Sequence, residues 1–165
     1  MVVTVPFPVL SALMTSSESP EVLLRLVLAV IVGSIIGWNR QRAGKPAGLR
    51  THMLVSLGAA LIVLIPLQTS PTNSTEALSR AIQGVATGIG FLGAGEILHQ
   101  SRRNSHKLEV QGLTSAAAIW VTAALGMAIG CGLWLTTLTG ALLAWLILKF
   151  VKNLEKTIFI QSDQD

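Results

Sequence analysis

The chain has 165 residues, of which 51% are hydrophobic and 12% charged, with a net charge of +4. A soluble domain would carry about 25% charged residues, so the composition excludes one, and the apolar excess excludes a disordered chain. Cys131 is the only cysteine, beside three histidines. This excludes a disulfide scaffold and a zinc module built on four cysteines or on two cysteines and two histidines.

The mean hydropathy is +0.63, and Gly and Ala are plentiful, as in packed transmembrane helices. Val2 to Met14 is apolar but too short to span, and Pro6 and Pro8 break it. It has neither the basic start nor the cleavage site of a secretory signal. Residues 1–20 are therefore expected to form an extracytoplasmic tail, and translation starting at Met14 would serve as well as Met1.

The first span is predicted at residues 22–38, apolar except for Arg25, and the second at 49–67, with Pro66 near its far end. The third, 81–98, is interrupted by Gln83, Thr87 and Glu96. From Val110 to Leu148 there is no charge at all. One helix over that run would be about 58 Å long at ~1.5 Å per residue, against a hydrocarbon core of ~30 Å. The run therefore holds two spans, 113–129 and 133–151, turning at Gly130-Cys131-Gly132. A short cytoplasmic tail, 153–165, follows the membrane domain 21–152.

Basic residues concentrate in alternate loops. Arg40, Arg42, Lys45 and Arg50 separate spans one and two, and Arg102, Arg103 and Lys107 separate spans three and four. Lys149, Lys152 and Lys156 close span five. Five spans with the N-terminus outside and the C-terminus in the cytoplasm satisfy the positive-inside rule without exception. Four or six would misplace a basic loop. The same charges that would suggest nucleic acid in a soluble protein are thereby accounted for, so no nucleic-acid partner is expected.

Membrane helices approach each other through small residues. Such stripes run through Gly33 and Gly37 in span one, Gly88, Gly90, Gly93 and Gly95 in span three, and Gly126 in span four. Span two is bulkier. These patterns predict a bundle with spans three and four at its centre, and they also suit a pathway or a movable helix. Trp38 and Trp134 sit at span ends, as interfacial anchors do, whereas Trp120 and Trp145 lie deeper, as packing residues.

Arg25 lies four residues after Glu21, so the two can pair on one face or Arg25 can snorkel outward; a third reading has it face the bundle interior or an anionic ligand. Glu96 is the only acidic residue inside a span. In lipid it needs a cation, and Arg40 or Arg50 lies at the same level. A structural ion pair and cation or proton handling are the two accounts. His52, His99 and His106 read as solvated or hydrogen-bonded interfacial residues rather than metal ligands, and Cys131 carries no assigned chemistry. No Walker loop, Gly-x-Ser-x-Gly or His-Glu-x-x-His occurs. Ser115 has no basic partner in its own helix, so neither a catalytic residue nor a cofactor or metal site is expected.

Three segments in order carry a resemblance. They are Ile36-Gly37-Trp38-Asn39-Arg40-Gln41 followed by Ala47-Gly48-Leu49-Arg50-Thr51-His52, then Gly88-Ile89-Gly90-Phe91-Leu92-Gly93-Ala94-Gly95, then Gly112-Leu113-Thr114-Ser115-Ala116-Ala117-Ala118-Ile119-Trp120. Together they resemble the MgtC/SapB family of bacterial inner-membrane proteins, over about Leu23 to Val151. Asn39 stands where the family usually has Glu, so the Arg40 partner expected there is missing, and Glu96 restores a carboxylate nearby. No counterpart of the family's soluble C-terminal domain is expected after span five.

The resemblance implies an all-α, multi-pass protein of the inner membrane, without catalytic activity. It implies a role in adaptation to low magnesium, acid or related stress through other membrane proteins, or through the chain itself as a homo-oligomer. An oligomeric pathway for Mg2+ or another ion is the alternative, since one Glu per chain cannot build an oxygen cage but a ring of subunits could. The polar candidates are Arg40, Gln41, Arg50, Thr51, Glu96, Thr114 and Ser115.

Overall fold

The computed structural model describes residues 19–69, 74–103 and 112–151. The expected tails, apart from Ser19 and Pro20, which open the first helix, lie outside them, as do the alternative start at Met14 and His106 with Lys107. Five α-helices follow in order: α1 Ser19–Arg42, α2 Leu49–Thr69, α3 Ser74–Arg103, α4 Leu113–Gly130 and α5 Trp134–Leu146. A widened, π-type turn over Ile147–Val151 continues α5. No strand occurs among the described residues. α1 to α4 each carry a stretch long and apolar enough to cross a membrane, and the apolar helix Trp134–Phe150 is shorter.

The two turns between helices that lie wholly among the described residues use the same device. After α1, Gly44 takes φ 65°, and the Gly44 and Lys45 amides donate to the Gln41 and Arg40 carbonyls. After α4, Gly132 takes φ 75°, and the Gly132 and Leu133 amides donate to Ile129 and Ala128. These are Schellman closures, which need a left-handed residue and so favour glycine. They satisfy the last carbonyls of each helix and reverse the chain within a few residues. The turn expected at Gly130-Cys131-Gly132 is where the chain reverses.

α4 packs against all four other helices, and α2 against α1, α3 and α4. Half of α4's apolar stretch is buried within the chain, against 11% for α3. This corrects the expected centre: α2 and α4 form it, and α3 flanks them. The close approaches explain why. A Cβ on Gly33 would come 2.5 Å from the His52 carbonyl oxygen, and one on Gly37 2.8 Å from the Leu49 Cα. A Cβ on Gly126 would collide with the Ser56 carbonyl, and one on Gly130 with Val63. So α1 and α4 both press their small residues onto the backbone of α2. On α3, Gly93 meets Ala116, whereas Cβ positions at Gly84, Gly88, Gly90 and Gly95 meet nothing within 4 Å among the described residues. The bulk of α2 lies on its other face, while His52, Ser56, Ala59, Ala60 and Val63 point inward.

The outer surface is apolar. Phe91 is 82% exposed, Leu135 75% and Leu138 69%, a coat that is unfavourable in water and suited to lipid. Trp120, expected to pack inside, is 52% exposed on this coat; α4 is central, but one face of it still reaches the surface. The chain is thus a multi-pass membrane protein in a lipid environment.

Candidate functional site, a buried polar cluster at one end of the bundle

The C-terminal turn of α1, the start of α2, the end of α3 and the first turn of α4 converge at one end of the bundle. Arg40 comes from α1 and is only 4% exposed. Its Nη2 donates to Ser115 Oγ at 2.6 Å, across 75 residues of sequence. Ser115, 1% exposed, lies in the first turn of α4, where the unpaired amides make the field positive. A guanidinium there needs a counter-charge, and Glu96 is near enough to act on it electrostatically. Its carboxylate is half-buried and acts electrostatically on both Arg40 and His52. Arg40 also lies at the negative end of α1, which favours a cation.

His52 follows from α2, and its side chain is fully buried. Its Nδ1 is 2.8 Å from the Gly48 carbonyl oxygen. That oxygen only accepts, so Nδ1 carries the proton. His52 Nε2 and the neighbouring Ser56 Oγ are buried without a hydrogen-bond partner among the described residues, as is Arg40 Nε. Such groups are unusual inside a folded chain. Thr122, one layer deeper on α4, is satisfied by the Ala118 carbonyl.

The structure therefore brings together Arg40, Ser115 and Glu96 among the expected polar residues. Of the two cations proposed for Glu96, Arg40 is the buried one and Arg50 is exposed. Gln41 turns the other way, where its Oε1 accepts the Leu49 amide at 3.3 Å and caps the start of α2. Its side chain fills the space a Cβ on Gly48 would need. Thr51 is half-buried, and Thr114 is exposed beside Ile36 and Leu148 in a small apolar groove. Sequence reasoning placed His52 at the interface, and this is corrected: it is in the core. Spacing offered a signal, since Gly48, His52, Ser56 and Ala60 recur every four residues and share one helix face. Among the described residues, no group of three or more His, Cys, Asp and Glu converges to hold a metal ion.

At the opposite end, Arg25 is structural. Its Nη1 donates to the Gly130 carbonyl at 2.7 Å, and its Nη2 pairs with Glu21 at 2.5 Å. The guanidinium thus closes the C-terminus of α4, where a cation is favoured. It also lies 6.0 Å from the Trp134 ring. Burial pushes the Cys131 thiol up from its usual range, partly offset by Arg25, so a thiolate there is disfavoured.

A helical membrane bundle with a buried polar cluster at one end is the class these features define. The sequence matches the MgtC family over residues 26–157. SrpB of Synechococcus elongatus is 49% identical, covering 84% of this chain and 79% of SrpB. YhiD of Escherichia coli K12, whose name proposes a magnesium transporter, is 39% identical over 81% of this chain and 62% of YhiD. MgtC of Salmonella typhimurium is 38% identical over 67% of this chain and 43% of MgtC, so the chain spans less than half of that relative. No solved structure matches. The chain belongs to the MgtC family.

Proposed function

We propose that this chain is a non-catalytic regulator of the inner membrane, acting through other membrane proteins in adaptation to low magnesium, acid or related stress. It crosses the membrane five times, with its N-terminus outside and its C-terminus in the cytoplasm. The observation that supports a regulator is the layer between the two polar ends. Ala29, Ala60 and Ile129 cluster there, all 1% exposed or less, and Val63 seals the space beside Gly130. A charged species crossing inside the chain would meet this closely packed apolar layer, at a cost of several kcal/mol. The polar cluster is thus suited to hold the helices in register rather than to conduct. The outward glycines of α3 suit contact with another membrane protein's helix.

A second reading, an oligomeric pathway for Mg2+ or another ion, draws on the name of YhiD and on Glu96 lying beside that open glycine face. Proteoliposomes containing the full chain and an internal Mg2+ indicator distinguish the two. Uptake no faster than in protein-free vesicles is expected. Uptake that disappears in Glu96→Gln, with stability retained, would replace the regulator by the pathway.

The topology has its own test. Alkaline phosphatase fused after Ser74 is expected to be active, and fused after Asn104 or Asp165 inactive, because the basic loops stay in the cytoplasm. Activity at Asp165 would overturn the five-crossing arrangement.

A further inference from the structure

Beside the buried cluster, a cavity of about 320 Å³ opens between the end of α1 and the turn that follows α5. Arg40, Arg42, Lys45 and Lys149 line it, together with Asn39 and Leu148, and none of its described lining residues is acidic. The four cations come from two separate stretches of chain. Arg42, Lys45 and Lys149 are exposed toward it, whereas Arg40 is 4% exposed and brings a buried Nε that has no partner among the described residues. Glu96 acts on Arg40, which leaves three further cations facing the cavity.

Two aromatic rings hold these cations in place. The Arg42 guanidinium lies 4.9 Å from the Trp38 ring centroid, and the Lys149 ammonium 4.4 Å from that of Trp145. Cation–π contacts of this kind fix a charge without neutralising it, and Trp38, near the end of α1, marks headgroup depth. The carbonyls of Asn39, Arg40 and Gln41 are already engaged by the amides of Ala43, Gly44 and Lys45, so the helix end does not satisfy the cations itself. Leu148 gives the cavity an apolar wall.

We propose that this cavity binds a phosphate oxyanion, and that its occupant is the headgroup of an anionic phospholipid. Basic pockets between membrane helices suit such headgroups. The apolar wall and the ring depth favour a lipid over free phosphate, because a lipid brings acyl chains to the same level.

The test uses the full chain in neutral detergent, titrated with phosphatidylglycerol bearing brominated chains and, separately, with brominated phosphatidylcholine, both read by tryptophan quenching. Phosphatidylglycerol is expected to quench at a lower mole fraction. A charge near the membrane surface contributes about 1 kcal/mol, or roughly fivefold in affinity. Lys149→Gln should therefore weaken the preference about fivefold, and Arg42→Gln with Lys149→Gln roughly thirtyfold. Both side chains are exposed, so folding should persist, whereas buried Arg40 is not a suitable probe. Arg50→Gln carries the same charge change at the same end outside the cavity, and should shift the preference less than about twofold. Equal losses for Arg50→Gln and Lys149→Gln would reduce the site to diffuse attraction and overturn the proposal. So would the absence of any preference in the unaltered chain. Displacement of phosphatidylglycerol by micromolar inorganic phosphate would overturn the lipid assignment in favour of a soluble anion.

Discussion

Gly126→Leu is expected to destabilise the bundle by about 1–3 kcal/mol or more, because α4 lies against the α2 backbone there. A Cβ alone would collide with the Ser56 carbonyl. The obstacle is main chain, which cannot rotate aside as a side chain can, so α2 and α4 must separate. Gly88→Leu is the matched control. It adds the same side chain on α3, where a Cβ meets nothing within 4 Å among the described residues, beside an apolar groove of about 510 Å³ between α2 and α3. Its effect should stay within about 0.5 kcal/mol, as for a surface change. Unfolding of both variants in a denaturing-detergent titration checks the contrast. Equal losses would mean that α3 is packed as tightly as α4, and a neutral Gly126→Leu would remove the proposed α2–α4 contact.

The second large effect falls on Arg40. Arg40→Gln removes a charge whose Nη2 reaches Ser115 and on which Glu96 acts. Breaking a buried charge pair costs about 3–5 kcal/mol when both partners are fully desolvated. Glu96 is only half-buried, so a loss of about 2–4 kcal/mol is expected, with a smaller loss for Glu96→Gln. The double variant should lose less than the sum of the two, by about 0.5–3 kcal/mol, because each single change exposes the charge the other partner compensated. Stability of the four proteins in mild detergent closes the cycle. Additivity within about 0.3 kcal/mol would mean that the two charges do not feel each other. A neutral Arg40→Gln would mean that the Ser115 contact holds nothing together.

Much of this protein is legible in one dimension. A residue's transfer energy into lipid depends mainly on its own side chain, so the uncharged run from Val110 to Leu148 announces membrane helices wherever they pack. The closure at Gly132 is also local, since a left-handed residue at a helix end needs only its own backbone freedom. The need of Glu96 for a cation follows from its charge alone. What tertiary structure decided is which face of each helix turns inward. Glycine lowers the barrier to close approach without choosing a partner, so the same small-residue pattern serves Gly126, pressed on α2, and Gly88, open to the outside. His52 reads as an interfacial residue from its position near Arg50, and becomes a core residue because Gly33 and Gly37 let α1 close over its backbone. The choice of Arg40 over Arg50 rests on the same physics. Ten residues apart in sequence, they differ in burial only because one helix face meets α4 and the other meets the outside.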